Sequence, residues 1–355
     1  MKRVPPVGAP IDDRAVNVVV TVLDRLWLRP VVRTGYADQR AVRTPDAPLT
    51  LVLTDRTVVA RDNDVVALTF SDPDGAELPA WQPGSHLDLH LPSGRRRQYS
   101  LCGDPQNRRG YRIAVRKIPQ GGGGSLEMHA LAVGDTVTVR GPRNGFPFIP
   151  YPRALYLAGG IGITPILPMV RAAQRLGTDW HFVYCGRSAD TIPFLDEIGR
   201  WDPARVTVLL DEERGVPTAE DLLRPAPRGG GVYVCGPPPM IETVRHGFSE
   251  TGSTALHFER FSAAPVVDGT PFEIQLASTG EVLPVAADET VLQALVKARP
   301  DTAYSCRQGF CGTCRVGVLA GTPEHRENRL TAEERETSML ACVSRSLTSR
   351  LTLDV

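Results

Sequence analysis

Neither sign of charge prevails in this chain: 40 lysines and arginines meet 40 aspartates and glutamates. With no basic surplus there is no electrostatic footprint for nucleic acid, and with no lysine-rich block there is none for an anionic membrane surface. Long apolar runs are missing too. The stretch from Val16 to Val32 is interrupted by Asp24, Arg25 and Arg29, so it cannot serve as a membrane span. Pro5, Pro6, Asp12, Asp13 and Arg14 break any apolar core of a secretory signal. No internal repeat or long low-complexity segment is visible. Cysteine is sparse and its count, 7, is odd, which suits thiols in a reducing interior better than a disulfide framework. These absences predict a soluble, cytoplasmic protein. A length of 355 residues predicts roughly two to four domains, each able to bury its own core.

What is present is concentrated in the last fifty residues or so. Cys306, Cys311, Cys314 and Cys342 have the spacing C-x4-C-x2-C-x27-C, the plant-type arrangement that holds a 2Fe–2S cluster on four thiolates. Gly309 and Gly312 suit the loop, because glycine reaches backbone angles that other residues avoid and lets amide N–H groups approach cluster sulfurs. Structural zinc is the alternative. Its sites usually show two short cysteine pairs, whereas this chain has one C-x2-C and two outliers. A one-electron centre predicts electron transfer.

Composition and periodicity divide the chain. Residues 1–50 form a proline-rich extension of unknown role, in which Val16, Val19, Val20, Leu23 and Trp27 share one face of an expected helix ended by Pro30. Over residues 51–150, short alternating runs between turn signals predict an antiparallel β-barrel. Residues 151–262 alternate apolar strands with glycine turns and helices, the pattern of a parallel-sheet α/β nucleotide domain. Residues 263–270 read as a linker. Residues 271–355 begin with a hairpin and a helix before the cysteine loop.

Two constellations precede the cysteines. Arg97-Gln98-Tyr99-Ser100 ends a barrel strand, and the run Gly121–Gly124 with Ser125 follows. An arginine can grip a phosphate bidentately and a tyrosine can lie against an isoalloxazine ring, while the glycines lead into a helix start whose N–H groups suit a phosphate. Taken alone, the same residues fit a solvated arginine and a flexible hairpin equally well. The second is Gly159-Gly160-Ile161-Gly162-Ile163-Thr164-Pro165 after the strand ALYLA. Its glycines permit backbone approach to a pyrophosphate, although Pro165 stands where the dinucleotide fingerprint has its third glycine. Cys235-Gly236-Pro237 follows another strand, where open α/β sheets bind ligands, and is expected beside the nicotinamide.

In this order, RQYSL (97–101), IAVRKIPQGGGGS (113–125), AGGIGITP (158–165), CGPPPM (235–240), HFERF (257–261) and the cysteine loop resemble the phthalate dioxygenase reductase and vanillate demethylase reductase family over about residues 51–355. The resemblance implies a ferredoxin reductase-like pair of domains followed by a β-grasp ferredoxin of α+β type. It implies FMN rather than FAD, with Arg97 and Ser125 on the phosphate, Tyr99 and Ser100 on the ring, and Phe261 stacked near it. Gln98, Ala114, Val115, Gly121, Gly123, Gly124 and Thr164 would complete the flavin contacts. Gly160, Gly162, Arg187, Ser188, Cys235, Gly236 and Pro237 would meet the nicotinamide nucleotide, with Cys235 and Ser100 nearest the chemistry. The family often carries an arginine within the glycine run; here that position is Gly122.

The implied activity passes electrons from NAD(P)H through FMN and the cluster to a partner Rieske-type oxygenase that hydroxylates or O-demethylates aromatics. A haem monooxygenase partner and an iron–sulfur redox sensor are the alternatives. The family habit implies a monomer. The stretch Gly186-Arg187-Ser188-Ala189-Asp190 mixes a guanidinium with a nearby carboxylate, which predicts that NADH and NADPH both work.

Overall fold

The computed structural model describes residues 47–355 except 63, 120–122, 262–265, 301, 305–306, 310–311 and 328. The N-terminal extension and its expected helix lie outside the described residues, as do Gly121, Cys306 and Cys311.

The first sheet is antiparallel, with strands β1 (Leu49–Val58), β2 (Val65–Ser71), β3 (Ser85–His90), β4 (Arg96–Ser100), β5 (Tyr111–Arg116) and β6 (Thr136–Asn144). Their order is β4-β3-β6-β1-β2-β5, and a bridge between Leu101 and Ile113 joins the two edges. The period-two pattern explains the closure. Along β1, Leu49, Leu51 and Leu53 face inward while Thr50 and Thr54 stay exposed. Together with Leu68, Phe70, Leu87, Leu89 and Ile113 they fill the barrel interior.

The second sheet is parallel: β7 (Arg153–Gly159), β8 (Asp179–Gly186), β9 (Val206–Leu210), β10 (Gly231–Cys235) and β11 (Ala255–Glu259), in the order β11-β10-β7-β8-β9. The middles of its central strands, Ala154–Ala158, Phe182–Cys185 and Val232–Cys235, are apolar and buried because both faces are covered. Tyr156, Ala158, Tyr233 and Cys235 share a core with barrel residues Ala60, Val65, Ala67 and Ala114. Leu155, Leu157, Val232 and Val234 pack instead on Leu222, Ile241 and Val244 of the outer helices. Arg112 of β5 pairs with Glu197 at 3.1 Å, and Arg171 donates to the carbonyls of Cys102 and Gly103 at 3.2 and 3.0 Å. The barrel and the α/β sheet are therefore clamped by charge as well as by a common core.

The third sheet has the order β13-β12-β18-β14-β16, built from β12 (Phe272–Leu276), β13 (Val282–Val285), β14 (Arg315–Ala320), β16 (Ser338–Leu340) and β18 (Arg350–Asp354). A two-stranded sheet, β15 (Pro323–Glu324) with β17 (Arg345–Ser346), flanks it. Strands β12 and β18 run parallel, and the helix Val291–Ala298 packs its apolar face on the sheet. That helix starts with a reciprocal cap between Thr290 and Gln293. This is the expected β-grasp. Cys314 and Cys342 belong to its core. Arg345 is fully buried beneath the sheet and donates to the carbonyls of Thr270 (2.7 Å), Ala286 (3.1 Å) and Glu289.

Candidate cofactor and active site

A cavity of about 410 Å³ opens where the three sheets meet. Strand β4 contributes Arg96, Arg97, Gln98, Tyr99 and Ser100, and β5 contributes Ala114 and Arg116. Gly124 and Ser125 come from the start of the short helix Gly124–Ala130, and Ile161 and Thr164 from the turn after β7. Glu259, Arg260 and Phe261 enter from the end of β11. Tyr304, Arg307 and Gln308 come from the cysteine loop. Nine of the residues expected at a flavin thus face one space, although they come from distant parts of the chain.

Local geometry assigns the ends of this space. A Cβ on Gly124 would lie 2.7 Å from Arg97 Nε, so only glycine lets the guanidinium lie against the helix start. Gly123, with φ +77°, turns the chain there and approaches Arg95. Ser125 lines the cavity too. Its Oγ accepts from Ile118 N at 3.0 Å and bonds the Ile118 carbonyl at 3.4 Å, so its hydroxyl serves the loop. Gln98 bonds His86 at 3.0 Å. Tyr99 is half-buried on the barrel core, and burial pushes its phenol up to about 12, so it stays protonated. Ala114 faces the cavity, whereas Val115, one residue on, points into the barrel core. The pleat separates that pair, because successive strand side chains take opposite faces.

Sequence reasoning missed Glu259. Its carboxyl is buried at the cavity floor, accepts from the Ser100 hydroxyl, and is pushed up to about 8 by burial, against the pull of that hydrogen bond. Its Oε2 has no partner among the described residues. At neutral pH the group is mostly protonated, a proton store beside Ser100. The only signal was its place in HFERF, at the end of the last parallel strand. Cys235 corrects the expectation in another way. It pairs in register with Glu259 but is fully buried and absent from the cavity wall, and burial holds its thiol well above the usual range. It lies next to the site as a core residue whose burial disfavours the thiolate.

The two nucleotide motifs meet at the strand ends. A Cβ on Gly162 would lie 2.2 Å from the Cys235 carbonyl oxygen, and one on Gly159 2.6 Å from Pro237 Cδ and 3.2 Å from Gly236 Cα. Gly162 is therefore small because another stretch of protein backbone comes close. Gly160, at φ +53°, makes the turn. Pro165 sits in the first turn of the helix Ile163–Arg175, where its missing N–H costs nothing. Beyond β8, Ser188 N–H donates to Thr191 Oγ1 at 3.2 Å, and the Arg187 carbonyl accepts from Glu212 N at 3.1 Å. Asp211 and Glu212, after β9, thus stand beside Arg187. Asp190 turns away to Arg61 at 3.8 Å.

Family models match in the same order. The oxidoreductase FAD-binding domain matches residues 50–148, the oxidoreductase NAD-binding domain residues 156–246, and the 2Fe-2S iron-sulfur cluster binding domain residues 274–347. Phthalate dioxygenase reductase of Burkholderia cepacia is 34% identical over 319 residues, covering 87% of this chain and 98% of that protein. The chain belongs to the phthalate dioxygenase reductase family. It is a pyridine-nucleotide-dependent flavin iron–sulfur oxidoreductase.

Two solved structures are similar to this reductase. Phthalate dioxygenase reductase, described as modular for electron transfer from pyridine nucleotides to 2Fe–2S, has 32% identity and a TM-score of 0.65 over 87% of this chain and 98% of that one. An intact type IV self-sufficient cytochrome P450 monooxygenase has 36% identity and a TM-score of 0.66 over 87% of this chain, which spans 41% of that longer protein. Among the reductase's described residues no helix is long and apolar enough to cross a membrane. Its donor set fits an iron–sulfur cluster where it is described. Cys314 and Cys342 are 4% and 2% exposed, within the apolar core of the ferredoxin sheet. The Cys314 carbonyl accepts from Ala341 N at 3.1 Å, which joins their two segments. Gly309 and Gly312, at φ +80° and +79°, make the turns of the loop.

Proposed function

We propose that this reductase serves a multicomponent oxygenase, with FMN as its flavin and a Rieske-type oxygenase as electron acceptor. The observation that supports this reading is the convergence of the arginine-rich β4 end, the strand ends of the α/β sheet and the cysteine loop on one cavity. Among the described residues five arginines line it, against the single and mostly protonated carboxyl of Glu259. Such a wall suits an anion with an uncharged planar body. With Tyr304 lying over Arg97, 5.6 Å from guanidinium carbon to ring centre, the phosphate end is shared with a second protein surface rather than open to an adenylate, which favours FMN over FAD.

A bound flavin supplies conversion between two-electron nicotinamide chemistry and one-electron cluster chemistry. The chain's own residues orient and protect that exchange. Tyr99 and Phe261 offer aromatic faces, Ser100 and Glu259 hold a proton at the floor, and the backbone at Gly160 and Gly236 forms the nicotinamide side. Arg187 and Ser188 stand where the adenosine ribose is expected. Cys306, Cys311, Cys314 and Cys342 would hold the cluster, one residue away from cavity-lining Arg307. Purified protein is expected to be red-brown, with one FMN, two irons and two acid-labile sulfides per chain. Extraction of FAD would overturn the flavin assignment, and zinc in place of iron the cluster. A haem monooxygenase partner is the second reading, favoured by the match to the self-sufficient P450 structure. Reduction of a haem oxygenase but not of a Rieske protein, assayed side by side, would decide for it.

A further inference from the structure

The ferredoxin side of the cavity carries a cation with no other work. Arg307 makes no hydrogen bond or ion pair among the described residues, yet it lines the cavity and lies 5.9 Å from the centre of the Tyr304 ring. Arg97 lies 5.6 Å from the same ring centre and packs against Gly124. One tyrosine thus gathers two guanidiniums at one end of the cavity, one from the barrel and one from the cysteine loop. The Arg307 backbone has φ +56°, a left-handed conformation in which glycine is cheaper. Holding an arginine there is strain of the kind that persists at ligand sites. Gly124, which lines the cavity beside Arg97, brings no side chain of its own. A phosphate monoester carries about −1.5 to −2 charge at neutral pH, enough to engage both guanidiniums gathered at the Tyr304 ring.

We propose that Arg307 is a phosphate-binding residue of the flavin site, supplied by the ferredoxin domain across the junction. The inference rests on the cavity holding FMN. It has a consequence at the scale of the junction. If the loop grips the phosphate, flavin binding and docking of the cysteine loop are coupled, and each strengthens the other by the same factor. Loss of the flavin then loosens the surface through which the cluster approaches.

The test is a fluorescence titration of the full-length, cluster-containing apoprotein with FMN and with riboflavin, which lacks the phosphate. Cluster absorbance serves as the check on folding. Arg307→Ala is expected to weaken FMN about five- to tenfold, as for a partly exposed charge-assisted hydrogen bond, and to leave riboflavin unchanged. Arg307→Lys should recover most of the loss. Equal losses for FMN and riboflavin would overturn the proposal. So would unchanged FMN affinity alongside a selective FMN loss in Arg97→Ala, an outcome that leaves the flavin reading standing. If Arg97→Ala and Arg307→Ala both leave FMN affinity unchanged, the cavity is not the phosphate site and the flavin reading itself falls.

Discussion

A carboxyl placed beside a hydroxyl in a dry floor has consequences that can be measured on the residue itself. Glu259 titrates near 8 in the folded chain because burial penalises its charged form, against an ordinary value of 4.5. Between these values the native state holds a proton that the unfolded chain has released. Stability contributed by this group is therefore complete at low pH and is lost as pH rises toward and through 8, with a limiting slope of roughly 1.4 kcal/mol per pH unit for one proton. Glu259→Gln is expected to flatten that decline between about pH 5 and 8, as followed by chemical denaturation at a series of pH values. Parallel slopes in the two proteins would mean that the carboxyl is solvated. Burial also sets Cys235 apart: in a linear motif its position is visible, but its exposure is not.

At the scale of elements, the strand-end glycines are the sensitive points. Gly162 faces the Cys235 carbonyl oxygen, so a methyl group there must displace the helix Ile163–Arg175 from the end of β10. Gly177, at φ +69°, has nothing within 4 Å of a Cβ and would bear only the backbone strain. Gly162→Ala is expected to cost about 1–3 kcal/mol from overpacking, and more than Gly177→Ala. Denaturant midpoints of the two variants give the comparison, and equal midpoints would show that the helix can slide. These elements were readable beforehand because each has its own period. Alternation announced β1, an apolar run before a glycine turn announced β7, and the helical stretch after the hairpin announced the helix at 291–298, whose Thr290–Gln293 cap the structure adds. Which face of β5 looks at the ligand was not readable, since Ala114 and Val115 are both small and apolar and only closure of the barrel separates them.

At the scale of the whole molecule, three sheets meet at one junction, but the ferredoxin sheet stands apart in its packing. The barrel and α/β sheet share a core, whereas the ferredoxin sheet keeps its own, with Cys314 and Cys342 inside it. Cys314→Ser is therefore expected to abolish the cluster's absorption and paramagnetic signal while NAD(P)H still reduces the flavin at nearly the parent rate in stopped-flow measurements. Collapse of both would mean that the junction, and not only the cluster, depends on that thiolate.

The sequence by itself determined what depends on neighbours along the chain. The four-cysteine spacing, the strand-turn-helix glycines, the R-x-Y-S strand and the order of the three folds are local patterns, and local backbone chemistry dictates them. The tertiary structure alone decided which side chains share the cavity: Glu259 at its floor, Cys235 withdrawn into the core, Ser125 turned to Ile118, Asp190 turned to Arg61, and Tyr304 with Arg307 at its far end. Those placements arise from the packing of three sheets that brings together residues as far apart along the chain as His86 and Gln308. Burial and charge balance belong to the assembled junction, and no window along the chain contains them.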